Sequence, residues 1–284
     1  MADTVPPLDE LVRKAREIRA TCVQMAFDSR QGHLNGALSS VDILVALYYG
    51  WLRVWPQRPR DAARDRLVFS KGHACKSLYA VLADRGFFPK EWLAEYSRND
   101  TRLAMHPCKH ALGILETSAG SLGHGLGMAT GMAYGLRLDG SAARCVAVLS
   151  DGECNEGSTW EAAMFAAAQK LDSVLAVVDY NRVQSVGRTD DLTGGTSFEE
   201  KFRAFGWAAR SVDGHDIGKL LALLHEVPFE RCRPTAIIAH THAGAGVSFM
   251  EDQVLWHYRV PSKEDLDKAL AELGTKAMYG RGGA

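Results

Sequence analysis

The chain has 284 residues, 46% hydrophobic and 24% charged, which is ordinary for a soluble globular protein and long enough for a large core. A formal net charge of −1 gives no electrostatic reason to expect nucleic acid or an anionic membrane as partner. No apolar run reaches the roughly eighteen residues of a membrane span, and the acidic start lacks the apolar core of a signal peptide. The six cysteines (22, 75, 108, 145, 154, 232) form no CxxC pair. That favours reduced core thiols in a cytoplasmic protein over a disulfide framework or zinc site, with Cys154 the one candidate for reactivity.

Pro6-Pro7 closes a short tail, residues 1–7, and a long helix follows with Leu11, Ala15, Ile18, Cys22 and Met25 on one face, ending at Asp28-Ser29. A second helix is expected from Ser39 or Ser40 through Tyr49. The Arg- and Pro-rich stretch 51–66 reads as a surface connection. Leu67 to Phe69 is a short strand leading into Ser70-Lys71-Gly72-His73, and Ser77 to Arg85 continues as helix. Residues 89–112 read as irregular around a short helix at Trp92. Gly120 to Gly125 is a Gly-rich turn opening a helix to Leu138, whose Gly123, Gly127, Gly131 and Gly135 offer a flat face for close backbone packing. The order GxxGxG is not a dinucleotide fingerprint, and no GxxxxGK[ST] phosphate loop occurs.

Cys145 to Leu149 reads as a buried strand, turned by Ser150-Asp151-Gly152. The next helix is expected to start with a capping box, Ser158 and Glu161, and to bury Trp160, Ala163, Met164, Ala167, Ala168 and Leu171. Ser173 to Asp179 is a second strand, made parallel to the first by a right-handed crossover. Asp151 and Asn181 then lie just past the carboxyl ends of two strands, where open α/β sheets bind ligands. A carboxylate and an amide oxygen suit Mg²⁺ or Ca²⁺, with a phosphate completing the shell, although Asp and Asn are also ordinary turn residues. Beyond a polar loop come a helix at 198–205, a strand at 208–212, a helix at 218–226 and a last strand at 235–239. That strand runs into His240-Thr241-His242-Ala243-Gly244-Ala245-Gly246. Lys263 to Leu273 is a helix, and 276–284 reads as a frayed tail. The alternation of strand and helix argues for one three-layer α/β domain spanning 1–284, a mostly parallel sheet with helices on both faces.

Five of the ten histidines, His33, His73, His106, His124 and His257, fall in expected loops, several beside glycines. Alone each would be a solvated side chain; together beside a candidate metal–phosphate site they suit proton transfer near neutral pH. The segment from Ser150-Asp151-Gly152 to Asp179-Tyr180-Asn181 closely resembles the thiamine-diphosphate fingerprint of transketolases. GH at 32–33, RDRLVFSKGHA at 65–74, HP at 106–107, GSLGHG at 120–125 and VSFMED…WH at 247–257 follow in transketolase order. The resemblance covers nearly the whole chain but only the amino-terminal, diphosphate-binding half of a full-length transketolase.

The resemblance implies the thiamine-diphosphate-binding fold of the diphosphate (PP) type. It implies that Asp151, Asn181 and the main-chain carbonyl of Val183 hold Mg²⁺, with Ca²⁺ a possible substitute. His73, Gly120, Ser121, Leu122, Gly152, Glu153, Glu156, Asn181 and His242 become cofactor-binding candidates, and His33, His73, His106 and His257 catalytic ones. Departures from the family pattern are Ser150 for a Gly, Ala243 and Ala245 where Lys or Arg is usual, and Tyr258 for a Gly. The implied chemistry cleaves a ketose beside its carbonyl and passes a two-carbon ketol unit to an aldehyde, with thiamine diphosphate as electron sink. The pyrimidine-binding domain and its sugar-phosphate residues are missing from this stretch. A carboxy-terminal partner subunit in an α2β2 assembly is therefore expected, acting on a sugar or sugar phosphate. The alternative readings are the α subunit of a 2-oxoacid dehydrogenase and a degenerate, non-catalytic binding subunit.

Overall fold

The computed structural model describes residues 5–280. Among these residues seven strands run as β1 (Arg66–Phe69), β2 (Cys145–Ser150), β3 (Val174–Tyr180), β4 (Val183–Gln184), β5 (Gly187–Arg188), β6 (Ala208–Asp213) and β7 (Thr235–His240). Five form one parallel sheet in the order β1-β2-β3-β7-β6, and β4 with β5 makes a small antiparallel hairpin. The apolar runs of β2 and β3 are buried along their length because both sheet faces are covered. Alternate residues part company: Val146, Val148, Leu175 and Val177 join one core, while Ala147, Leu149, Val174, Ala176 and Val178 join the other.

The larger core packs beneath α1 (Leu8–Ser29), α2 (Leu34–Ser39), α3 (Val41–Val45), α4 (Cys75–Asp84), α9 (Ile217–His225) and α10 (Lys263–Leu273). The smaller lies beneath α5 (Gly125–Leu138), α6 (Gly157–Ala168) and α8 (Phe198–Ala204), with the short α7 (Thr189–Thr193) at the strand ends. The three-layer α/β expectation is met.

Several local expectations need correction. The expected helix after Ser40 is present as α3, but it passes into a π-helical turn at Ala46–Trp51, and a further short helix, α2, precedes it from Leu34, after His33 in a left-handed conformation. Ser158 does not cap α6, because its hydroxyl donates to the Gly123 carbonyl instead. The buried stripe of α6 is Thr159, Ala163 and Ala166, whereas Met164 is 58% exposed. Of the four spaced glycines only Gly123 is tightly opposed. A Cβ there would lie 2.6 Å from Ser158 Oγ, whereas Gly131 and Gly135 face nothing within 4 Å. At the carboxyl end Tyr279 is buried and bonds Asp28, so the chain is packed that far; residues 1–4 and 281–284 of the expected tails lie outside the described residues.

Asp65 pins the amino ends of β1 and β2. Its buried carboxylate accepts the backbone N–H groups of Arg53 and Arg144 as well as both guanidinium groups. Burial alone would raise its pKa, but the bonds from Arg144 and Arg53 lower it. Asp65→Ala should lose about 2–3 kcal/mol of stability, because two backbone donors lose their acceptor while the half-exposed arginines return to water. An unchanged urea midpoint would refute this.

Candidate active site

The carboxyl ends of β2 and β3, the amino end of α2 and the segments around His73, His106, Gly120 and His257 enclose a cavity of about 490 Å³. It is lined by His33, His73, His106, His257, Gly120, Leu122, Asp151, Gly152, Glu156, Asn181 and Val183. The four imidazoles form one cluster. The His33 ring centroid lies 5.3 Å from that of His257, 5.7 Å from His73 and 6.1 Å from His106. His73 and His257 are 5.8 Å apart.

Asp151 is 1% exposed, with Oδ2 accepting the Thr189 hydroxyl at 2.6 Å and Oδ1 accepting the Gly152 N–H at 2.9 Å. Desolvation, only partly offset by the Thr189 bond, pushes its pKa up to about 6. A buried carboxylate to which no cation among the described residues is bonded suits a divalent ion. Asn181 turns its amide oxygen to the Val183 N–H at 3.0 Å and donates from Nδ2 to Ser39 Oγ at 3.0 Å. A carboxylate, an amide oxygen and the nearby Val183 carbonyl form a hard-oxygen donor set that fits Mg²⁺ or Ca²⁺.

Behind the cavity lie residues that the motifs alone leave without a role. Lys71 and Asp179 form an ion pair with neither side chain exposed. Asp179 also accepts the hydroxyls of Ser39, at 2.7 Å, and Thr241. Lys71 stands inside the SKGH motif and Asp179 inside the DYN motif, so the signal was present, but nothing in it showed the two would meet. Lys76 is fully buried and donates to the Gly32 carbonyl at 2.5 Å.

Three candidates lie elsewhere. Glu153 is buried outside the cavity, where it accepts the Gly123 N–H at 2.9 Å and the Ser70 hydroxyl. Ser121 lines a neighbouring cavity of about 300 Å³ with Thr117 and His124. His242 turns outward, stacks on His215 and bonds Asp252 at 2.9 Å, so it does not replace a cation at residues 243–245. Cys154 is buried and its thiol is pushed well up by that burial, which removes the expectation of reactivity.

The cluster is held neutral. Burial first, then repulsion from neighbouring imidazoles and from Lys71 or Lys76, lowers the pKa to about 4 at His33 and at His257, well below normal at His73, and below normal at His106. The unfolded chain takes up protons on these groups near 6.5, whereas the folded chain does so only at lower pH, about 4 at His33 and His257. Stability therefore falls as pH drops through that window, because the unfolded state binds more protons there. Asp151 acts with the opposite sign, since its raised carboxyl takes up its proton more readily when folded. Replacing His73 by Asn should shrink the loss of urea midpoint between about pH 7 and about pH 5; the same loss in both proteins would show that His73 does not carry the effect.

Residues 11–278 match the family model for the transketolase thiamine diphosphate-binding domain. An apulose-4-phosphate transketolase subunit from Phocaeicola vulgatus is 34% identical over 269 residues, 95% of each chain. The 6-deoxy-6-sulfo-D-fructose transketolase subunit SqwG of a Clostridium species is 36% identical over 265 residues, 93% of this chain and 96% of that one. Among solved structures, the transketolase of Campylobacter jejuni superposes with a TM-score of 0.88 at 27% identity, covering 97% of this chain but 44% of its own. These matches do not favour the 2-oxoacid dehydrogenase alternative. The chain belongs to the transketolase thiamine diphosphate-binding domain family.

Proposed function

We propose that this chain is the thiamine diphosphate- and Mg²⁺-binding subunit of a two-component transketolase, transferring a two-carbon ketol unit from a ketose to an aldehyde. The observation that carries this reading is the meeting, in one cavity, of a buried uncompensated Asp151, of Asn181 and of four neutral imidazoles. Asp151, Asn181 and the Val183 carbonyl would hold the ion and through it the diphosphate. Gly120 and Leu122, on the same wall, would meet the cofactor's ring end, and Glu156 at the rim would face the partner's half of the pocket.

Bound thiamine diphosphate would supply an electron sink for cleavage beside the ketose carbonyl. This chain's residues hold and move protons. A neutral imidazole accepts a proton from a substrate hydroxyl and returns it, which an imidazolium could not begin. His33, His73, His106 and His257 are neutral and face one another across the cavity, so a proton taken by one meets further acceptors at close range.

A partner carrying the pyrimidine-binding domain completes the site in this reading, with two copies of each chain. The end-to-end match to relatives named as subunits supports it. Free cysteines, four of them buried, fit a cytoplasmic setting. No helix among the described residues is long and apolar enough to cross a membrane.

In the co-expressed complex, Asp151→Ala should abolish Mg²⁺-dependent retention of thiamine diphosphate, read by cofactor fluorescence titration, with the far-UV circular dichroism unchanged. Wild-type affinity in that variant would sink the metal assignment. His257→Ala should keep the cofactor and lower kcat by about 100-fold; undiminished turnover would remove this imidazole from the reaction. Native mass spectrometry should find a heterotetramer, and a cofactor-free homodimer would favour a non-catalytic binding role.

A further inference from the structure

The cavity mouth carries a residue that the proton-transfer cluster does not use. Tyr258 follows the 3-10 turn at Val254–His257 and lines the cavity while remaining 59% exposed. Its ring centroid lies 4.9 Å from that of His33 and 4.9 Å from that of His257, edge-on to both. The main chain beneath is locked. His33 N–H donates to the His257 carbonyl at 2.7 Å, and a Cβ at Gly32 would fall 2.4 Å from the Tyr258 carbonyl oxygen. Only glycine lets the 32–33 turn lie flush on this backbone. The ring is thus held between the imidazoles and the outside, and its hydroxyl makes no hydrogen bond to any described residue.

The charge at the mouth narrows what such a ring can recognise. No Lys or Arg is among the described residues lining the cavity. The adjacent Arg259 lies over the Trp256 ring at 4.7 Å and faces Asp265 at 3.8 Å, outside the cavity lining. A terminal anion on a substrate therefore finds no ion pair on this wall. An amphipathic ring with an unused hydroxyl instead matches a carbon chain that alternates C–H faces with hydroxyl groups. A tyrosine offers that contact with little rotamer entropy to lose.

We propose that Tyr258 is a specificity-determining residue, whose ring and hydroxyl form the wall against which a ketose lays the hydroxylated carbons beyond the transferred unit. This rests on the transketolase reading above. The substrate class it selects is a ketose with a polyhydroxylated tail, over a short donor that presents the same two-carbon unit without one.

The test uses the assembled two-subunit enzyme with thiamine diphosphate and Mg²⁺. Two donors are compared: an unphosphorylated ketose of five or six carbons, and a three-carbon 3-hydroxy-2-oxoacid that lacks the tail. Tyr258→Gly should lower the ratio of kcat/KM for the ketose over the short donor by about tenfold. Tyr258→Phe, which keeps the ring, should lower it by about threefold. An unchanged ratio, or equal losses with both donors, overturns the inference. So does a Tyr258→Gly chain that no longer assembles with its partner in native mass spectrometry, since the ring would then serve the interface. A wild-type complex inactive with both donors overturns the transketolase reading itself, an outcome distinct from wild-type activity with an unchanged ratio.

Discussion

Asp179 is where the elements of this site are tied together. Its carboxylate stands near the carboxyl end of β3, fully enclosed, and accepts from Lys71 after β1, from Ser39 at the end of α2 and from Thr241 after β7. Removing two charges from water costs several kcal/mol per ion, recovered only when the remaining lone pairs are also satisfied. Here the two hydroxyls satisfy them. Ser39 also accepts the Asn181 amide, so the orientation of a candidate metal ligand depends on the same carboxylate. Three segments remote in sequence are held in one register by the need to keep that ion pair complete.

The same burial sets the state of the imidazoles. Among the histidines, the two that bond carboxylates, His215 with Asp42 and His242 with Asp252, lie outside the cavity. Inside it the charges behind the rings are the ammonium groups of Lys71 and Lys76, and both work against protonation. A carboxylate among the rings would have raised their pKa values and cost them their capacity to accept a proton at neutral pH. The Asp179 pair therefore places a cation at the back of a cluster that needs to stay neutral.

Much of this was legible in the sequence because strands buried on both faces show as unbroken apolar runs, which fixed β2, β3 and β7 and with them Asp151 and Asn181. The errors share a cause. Ser40 does stand at the N-cap of α3, yet its hydroxyl bonds Ser77 and the Gly36 carbonyl, and Ser39 ends α2 and bonds Asp179. Ser158 is likewise drawn away by Gly123. A hydroxyl has several partners of similar strength, and tertiary structure chooses among them. His242 was misplaced for a related reason. At the end of β7 consecutive side chains face opposite ways, and it is Thr241 that turns inward to Asp179.

Ser70 and Glu153 give the Gly-rich turn its fixed place. Gly125 donates to the Ser70 hydroxyl at 3.0 Å, Ser70 donates to Glu153, and Gly123 donates to the same carboxylate. A Cβ at Gly125 would lie 2.1 Å from Ser70 Oγ, so the turn sits against the end of β1 as only glycine permits. That docking puts Gly120 and Leu122 on the cavity wall and leaves Glu153 behind it. The wall then carries the carboxyl groups of Asp151 and Glu156 and, among its described residues, no Lys or Arg. The nearest ammonium, Lys71, is already matched by Asp179. In the proposed role a diphosphate would meet more negative than positive charge from this chain, so a divalent ion would have to reverse the sign of the site before the cofactor could bind. The departures at Ala243 and Ala245 fit that arrangement: with no Lys or Arg on the loop after β7, the charge balance in the proposed role would rest on a metal at Asp151 and Asn181.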